Sequence, residues 1–431
     1  MSAPMTADHD MESVYGNRFS ASPDTFPYNI YAGTNTGFLK GCMLSNRTCV
    51  NINSVKDPDK NNEITSMCWW RDENSILTGC RDGRILNYSL KDGSISSLCT
   101  KIPDDKSVLR VVKSYKGSVF TAFSSGVVNC DQLIQLEDDS ANQDKSISSR
   151  SINICAGDNL FCMDHNQSFE NLISTGGKEN PLKIWDLTSS TQPIFTAKNV
   201  KNDWLNLRVP VWEMKAEFIP QSKKIVTGTG YSQIRLYDMS SSKRRPVLDI
   251  KLKDSREPIS ALAIRPHTDS QVVVGTTIGT ISLVDLRKMA AIKQFKGAAG
   301  GITDIKFHET HPVFAACGVD RFIRCYNADL SKRKCSSIYI HSQVNSLLFS
   351  SEWNIDYNEE FGIETTGTKK AHSKGSKIFS ETNDDEKSLS DDDKDDALWD
   401  AMEVVQTKKR KKVPLTSHAK SSKKLKKKSK A

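Results

Sequence analysis

No apolar run in the 431-residue sequence approaches the ~20 residues that a membrane-spanning helix needs. The first 27 residues are polar, with Asp8, Asp10 and Glu12 early, so a secretory signal is not expected. Eleven cysteines are present, but no two are spaced Cys-x-x-Cys, which removes the usual framework for zinc. Without a secretory route the compartment is reducing and a disulfide scaffold is not expected. The sequons at Asn46 and Asn166 carry no meaning in that setting. Cys42, Cys80, Cys130, Cys317 and Cys325 sit in or beside strand-like runs and read as small buried hydrophobes. Apolar residues are scarce at 37%, against roughly 45–50% in an ordinary domain, as when polar segments dilute a normal core.

Catalytic and nucleotide-binding motifs are also missing. The nearest approach to a phosphate loop, Gly362 to Gly367, is followed by Thr368-Lys369 rather than Lys and Ser or Thr, and it lies in polar sequence. Gly297-Ala298-Ala299-Gly300-Gly301 has no lysine and reads as a flexible turn. There is no Gly-x-Ser-x-Gly elbow. His308 and His311 lack a third ligand at a diagnostic spacing and read as surface histidines. The chain is therefore expected to be no enzyme and to carry no cofactor or metal.

The net charge of +8 conceals three zones. Residues 381–403 hold eleven acids against Lys387 and Lys394, and residues 406–431 hold twelve cations and no acid. The remaining body is mildly basic. Blocks of like charge repel themselves and cannot bury a core, so residues 351–431 should form a disordered tail, as should the extension 1–27. Two basic clusters, Lys408, Lys409, Arg410, Lys411 and Lys412, then Lys423, Lys424, Lys426, Lys427 and Lys428, are of the nuclear-import or nucleic-acid type. A merely solubilising tail is the plainer alternative. Leu398, Met402 and Val405 share a helical face with Trp399 beside them, too short to fold alone, and suit docking into a partner's groove. Ser390, followed by three aspartates, has the form of an acidophilic-kinase site.

Residues 28–350 repeat. An apolar strand leads through Gly or Cys into a tight polar turn, then into a second strand ending in a bulky residue and often Asp. Leu77-Thr78-Gly79-Cys80-Arg81-Asp82-Gly83 leads to Ile85-Leu86-Asn87-Tyr88, and Ser174-Thr175-Gly176-Gly177 leads to Leu182-Lys183-Ile184-Trp185-Asp186. Turn anchors fall at Gly37, Gly83, Gly126, Asn180, Ser232, Gly279 and Arg321. A period near 40–45 residues with a Trp-Asp dipeptide marks a four-stranded propeller blade, and seven anchors imply an all-β, seven-bladed WD-repeat β-propeller. Asp82 and Asp320 are expected to hold their hairpins. The run Val344 to Phe349 is expected to complete the first blade and close the ring.

The broadest insertion runs from Ala197 to Trp212, between the fourth and fifth blades. It includes Lys198, Asn199, Lys201, Asn202, Asp203, Trp204, Arg208 and Trp212. In a propeller such a loop shares a face with the tight turns, so Lys178, Glu179 and Arg321 are expected at its border. Trp and Arg are typical interface anchors, while Lys and Asn meet phosphate or backbone, so a recognition surface is expected on this face. The bland alternative is that Trp204, Leu207 and Val209 pack the loop onto its blade.

Several phrases resemble the WD repeat-containing protein 74 family of nucleolar large-ribosomal-subunit assembly factors. They are Gly33 to Gly41, Gly176 to Asn180 with Lys183 to Leu187, the whole 197–212 loop, Arg244 to Leu248, and Cys317 to Arg321. Asp395 to Val405 resembles the acidic Leu-Trp element of the family's tail, whereas residues 1–27 and the long acidic spacer depart from its pattern. The resemblance implies a monomeric scaffold within nucleolar and nuclear precursors of the large (60S) subunit, supporting assembly and rRNA processing. It further implies contact with neighbouring assembly factors and pre-rRNA, and removal by an AAA-type ATPase. The alternative is a nuclear adaptor for chromatin or a ubiquitin ligase.

Overall fold

Val272, Val273 and Val274 are consecutive and all fully buried, yet they do not share a core. Val272 and Val274 face one apolar cluster, and Val273 faces another on the opposite side of the strand. Side chains alternate along a strand, so an unbroken apolar run is what a sheet covered on both faces requires. The computed structural model shows this arrangement seven times over. It describes residues 28–351 and 353, apart from 56–57, 71, 99–108, 116, 134–148, 189–191, 253–256 and 330–334. The extension 1–27, Ser390, the tail-docking residues and the basic clusters lie outside the described residues.

Among the described residues twenty-eight strands, numbered in chain order, form seven four-stranded antiparallel sheets. The inner strands of blades 2 to 7 are β4 (Ile64–Trp70), β8 (Leu109–Tyr115), β12 (Leu160–His165), β16 (Glu213–Phe218), β20 (Ile259–Ile264) and β24 (Ile302–Phe307). Blade 1 takes its inner strand from the far end of the chain. There β28 (Val344–Phe349) pairs with β1 (Ile30–Thr34), followed outward by β2 (Leu39–Met43) and β3 (Thr48–Asn51). β28 also touches both β24 and β4, so the ring closes as expected from the sequence. Among the described residues seven apolar clusters occur, one in each gap between neighbouring blades.

The tight turns behave as expected at six of seven anchors. Gly37, Gly83, Gly126, Ser232, Gly279 and Arg321 have positive φ, but in blade 4 that conformation falls on Glu179 rather than Asn180. Asn180 instead donates from Nδ2 to the carbonyls of Ala156, Gly157 and Asp158, fastening the preceding connection. Gly126 is required twice over. Its φ is +89°, and an added Cβ would lie 2.1 Å from the Gly157 carbonyl oxygen. Asp82 accepts from Arg84 N, and Asp320 from Phe322 N, so both aspartates hold their hairpins. The five cysteines read as hydrophobes are buried.

His308 corrects an expectation. It is buried rather than on the surface, packed against His311, Phe349 and Trp353. Its position at a strand end suggested exposure, but the chain beyond the closing strand returns Trp353 to cover it.

Candidate docking surface between blades 4 and 5

Blade 4 ends in β15 (Phe195–Thr196), paired to its neighbour through only two residue pairs. Residues 197–212 then intervene before β16. Both ends of this loop are rooted. Ala197 is buried and its N–H donates to Leu182 O at 2.8 Å. Glu179 N donates to Val211 O at 2.9 Å, and Lys178 and Trp212 form an antiparallel bridge. The Trp212 ring lies so close to Gly230 that an added Cβ there would sit 2.4 Å from it. The Lys178 ammonium stands 5.2 Å over the same ring. Trp212, half-buried, therefore anchors the loop at its root.

Beneath that root sits a buried charge pair. Six inner strands begin with Ile64, Leu109, Leu160, Ile259, Ile302 and Val344, whereas β16 begins with Glu213. Glu213 lies 3.6 Å from Arg235 of β18 (Gln233–Asp238), and both side chains are essentially inaccessible. Burial pushes the Glu213 carboxyl up, and Arg235 opposes that shift. Arg235 also donates to Gln233 Oε1 at 2.6 Å and lies 3.4 Å from Asp249 Oδ1. Sequence reading missed this pair; the signal was an acid at an apolar repeat position.

The loop's tip is pre-organised. Asp203 Oδ1 accepts from Leu205 N at 3.0 Å and Leu207 N at 2.8 Å. Asn202 Nδ2 donates to Asn206 O at 3.1 Å, Asn199 Nδ2 to Val209 O at 2.6 Å, and Asn206 takes a positive φ of 59°. Asn199, Asn202 and Asp203 are thus spent on holding the turn. What the turn presents is apolar: Trp204 is 90% exposed, Leu205 55% and Leu207 59%. Trp204 and Leu207 do not pack the loop onto its blade, and only Val209 is half-buried.

The surrounding charge divides into two groups. Arg208 Nη2 lies 2.8 Å from Glu179 Oε2, so both border the loop as a pair, with Lys178 beside them. Lys198 and Lys201 are exposed. Arg321 shares the face but belongs to blade 7, so the structure does not bring it to the loop. On the outer side Lys198 N donates to Arg244 O at 2.8 Å, and Arg245 Nε donates to Asn199 O at 3.1 Å. Two phrases distant in sequence therefore form one surface, a neighbourhood that spacing alone did not reveal.

The ring's centre is differently built. A cavity of about 110 Å³ is lined by inner-strand residues that include Lys113, Asp164 and Glu217. Lys113 Nζ lies 3.2 Å from Asp164 Oδ1, and burial raises the Glu217 carboxyl to about 7. Among the described residues no group of three His, Cys, Asp or Glu side chains is placed to hold a metal ion. No described helix is long and apolar enough to cross a membrane.

The WD domain, G-beta repeat family model matches residues 50–89 and 290–327. Each match runs from the outer strand of one blade through three strands of the next, the same offset that makes the ring close with strands from both chain ends. WD repeat-containing protein 74 of Bos taurus is 34% identical over 327 residues, covering 76% of this chain and 82% of the relative. The Homo sapiens protein of that name matches at the same identity and coverage. Ribosome biogenesis protein NSA1 of Meyerozyma guilliermondii is 27% identical, covering 63% of this chain and 74% of the relative. At that identity and coverage, with the ring closed as its sequence required, the chain belongs to the WD repeat-containing protein 74 family.

Proposed function

We propose that this chain is a non-enzymatic ribosome biogenesis factor, a rigid ring that docks onto nucleolar precursors of the large ribosomal subunit. It acts in the nucleolus and nucleus, supports assembly and rRNA processing beside neighbouring assembly factors, and leaves the particle through an AAA-type ATPase. The relatives named for ribosome biogenesis support the setting. One observation carries the mechanism: a turn held by its own hydrogen bonds offers Trp204, Leu205 and Leu207 to solvent.

A soluble chain gains nothing from holding three large apolar side chains outward, and a partner pocket would recover that burial at about 25 cal/mol per Å². The turn is already ordered, so little entropy remains to be lost on docking. The turn from Asn202 to Leu207 carries no uncommitted charge, because Asp203 caps it, and Arg208 beyond it is paired with Glu179. That chemistry suits an apolar pocket on a protein neighbour. Arg321 is left out of this contact.

The test is a Trp204→Ala, Leu205→Ala, Leu207→Ala variant followed by sedimentation of nuclear extract. The expected result is an unchanged melting temperature and transfer of the variant from the precursor fractions to the free pool. A variant that still sediments with immature large-subunit particles, or a wild-type chain found only free, overturns the proposal.

A further inference from the structure

Cys42 and Cys49 lie directly opposite each other in the register of β2 and β3, the two outer strands of blade 1. Ile52 N donates to Leu39 O and Asn29 N donates to Cys42 O, so the peptide groups of Leu39 face β3 and those of Cys42 face β1. The two cysteines therefore form a non-hydrogen-bonded cross-strand pair, the closer of the two kinds, in which Cα atoms stand about 4.5 Å apart. That separation lies within the span a disulfide bridges. Both are free thiols, and the Cys42 thiol donates to the Cys49 sulfur at 3.2 Å.

The two thiols differ in access. Cys42 is fully buried in the apolar cluster between blades 7 and 1, which it shares with Val344 and Leu347 of the closing strand. Cys49 stands on the edge strand and is only partly covered. The hydrogen bond from Cys42 lowers the Cys49 pKa against the effect of burial, and the Lys40 ammonium adds to the lowering. The same bond, with burial, pushes the Cys42 thiol well up. Thiolate is the reacting form, so reactivity falls on the sulfur that a small molecule can reach.

From the opposed pair, its sulfur contact and its uneven exposure we infer that Cys42 and Cys49 are a reversible disulfide site on the closing blade, Cys49 meeting a small disulfide oxidant and Cys42 resolving the adduct. With oxidised glutathione the steps balance. The Cys49 thiolate attacks one glutathione sulfur, forming a mixed disulfide and releasing the other half as glutathione thiolate. Cys42 then gives up its proton and attacks the Cys49 sulfur, displacing the second glutathione. Two protein thiols are oxidised, and one glutathione disulfide is reduced to two glutathiones. The new bond ties β3, which pairs on one side only, to β2 beside the cluster where the two chain ends meet. In a reducing compartment the pair rests as two thiols, so the site answers a rise in oxidant and is no permanent staple. None of this depends on docking by Trp204.

The test takes the full chain, folded and reduced, through mixtures of reduced and oxidised glutathione, followed by alkylation and tryptic peptide mapping. Cleavage after Lys40, Arg47 and Lys56 separates the two cysteines, so the disulfide is read as peptides 41–47 and 48–56 joined. The joined peptides should accumulate as oxidised glutathione rises and vanish with dithiothreitol. Cys42→Ala should retain a glutathione adduct on Cys49 that wild type resolves, whereas Cys49→Ala should leave Cys42 unmodified. The oxidised wild type should melt above the reduced form, a shift absent from both variants. Circular dichroism checks that the variants are folded, and the two wild-type readouts decide the matter if either is not. Wild-type thiols that stay free in oxidised glutathione overturn the site. So does a bond from Cys42 to Cys325, a member of the same cluster, in place of the bond to Cys49. Equal adducts on the remaining cysteine of each variant overturn the division of roles, and an unchanged melting temperature overturns the pinning of β3.

Discussion

The carboxylate of Asp304, on the inner strand of blade 7, accepts the backbone N–H of Leu347, on the strand that closes blade 1, at 3.0 Å. The same device recurs elsewhere in the ring. Asp164 of blade 4 accepts from Phe218 N of blade 5 at 2.8 Å, and Glu217 of blade 5 accepts from Ile264 N of blade 6 at 3.0 Å. An inner strand pairs with its own sheet on one side only, so the N–H groups on its other edge need partners. The acids facing the channel supply three of them and join neighbouring blades.

Asp304→Ala should therefore leave the buried Leu347 N–H without its acceptor and destabilise the ring by about 1–3 kcal/mol. Asp304→Asn keeps a carbonyl oxygen in reach and should lose less. Urea unfolding midpoints of the two variants check this, and equal losses would show that the oxygen acceptor is not what matters.

Ring closure gives a second prediction. β28 contributes Val344, Leu347 and Phe349 to the apolar cluster between blades 7 and 1, besides its ladder with β1. Removing residues 341–350 exposes that cluster and opens an edge along β1, so the whole ring should lose its cooperative melt. A calorimetric transition at the wild-type temperature in the truncated chain would refute the closure.

The buried pair under the loop gives a third. Arg235→Ala strands the Glu213 carboxyl in the interior and should cost about 3–5 kcal/mol, and Glu213→Ala, which leaves Arg235 its contacts with Asp249 and Gln233, should cost less. Arg235→Met combined with Glu213→Leu removes both charges at similar bulk and should be far less damaging than either single change. Chemical denaturation of the three proteins tests this; a double variant less stable than both singles would mean the charges themselves stabilise the blade.

Blade number, the closing strand and the position of the long loop were legible because each is a pattern along the chain. Apolar runs mark strands covered on both faces, turn residues recur at a period, and Val344 to Phe349 is a strand left over at the end. Contacts that depend on meeting in three dimensions were not legible. Glu213 follows the loop directly, and nothing along the chain marks it as lying opposite Arg235. Trp212 and Trp204 are the same residue type in one loop, but Gly230 leaves a flat seat for one ring and no described residue covers the other. Arg321 shares a face with the loop, yet a ring separates residues that a linear reading places together. Arg244 and Arg245 joined the site only through bonds to Lys198 and Asn199.

His308 supplies the pH prediction. Burial, with His311 as a neighbouring like charge, lowers its pKa to about 4. Nδ1 accepts from Thr310 N and His311 N, each at 3.2 Å, so the neutral ring fits the fold. An unfolded histidine titrates near about 6.5. Above that value both states are neutral and the packing contributes in full. As pH falls from about 6.5 toward 4 the unfolded chain takes up a proton that the folded ring refuses, and stability is lost across that window. His165, also buried and lowered in pKa, contributes in the same direction, so the wild-type profile alone does not isolate His308. His308→Asn does, since Asn Oδ1 can take the place of Nδ1 as acceptor without titrating. The variant should be less stable than wild type at pH 7.5 because it loses ring contacts with Phe349 and Trp353. The gap in urea midpoint should narrow steadily on acidification to pH 4.5. A gap that stays constant over that range would show that His308 does not resist protonation in the fold.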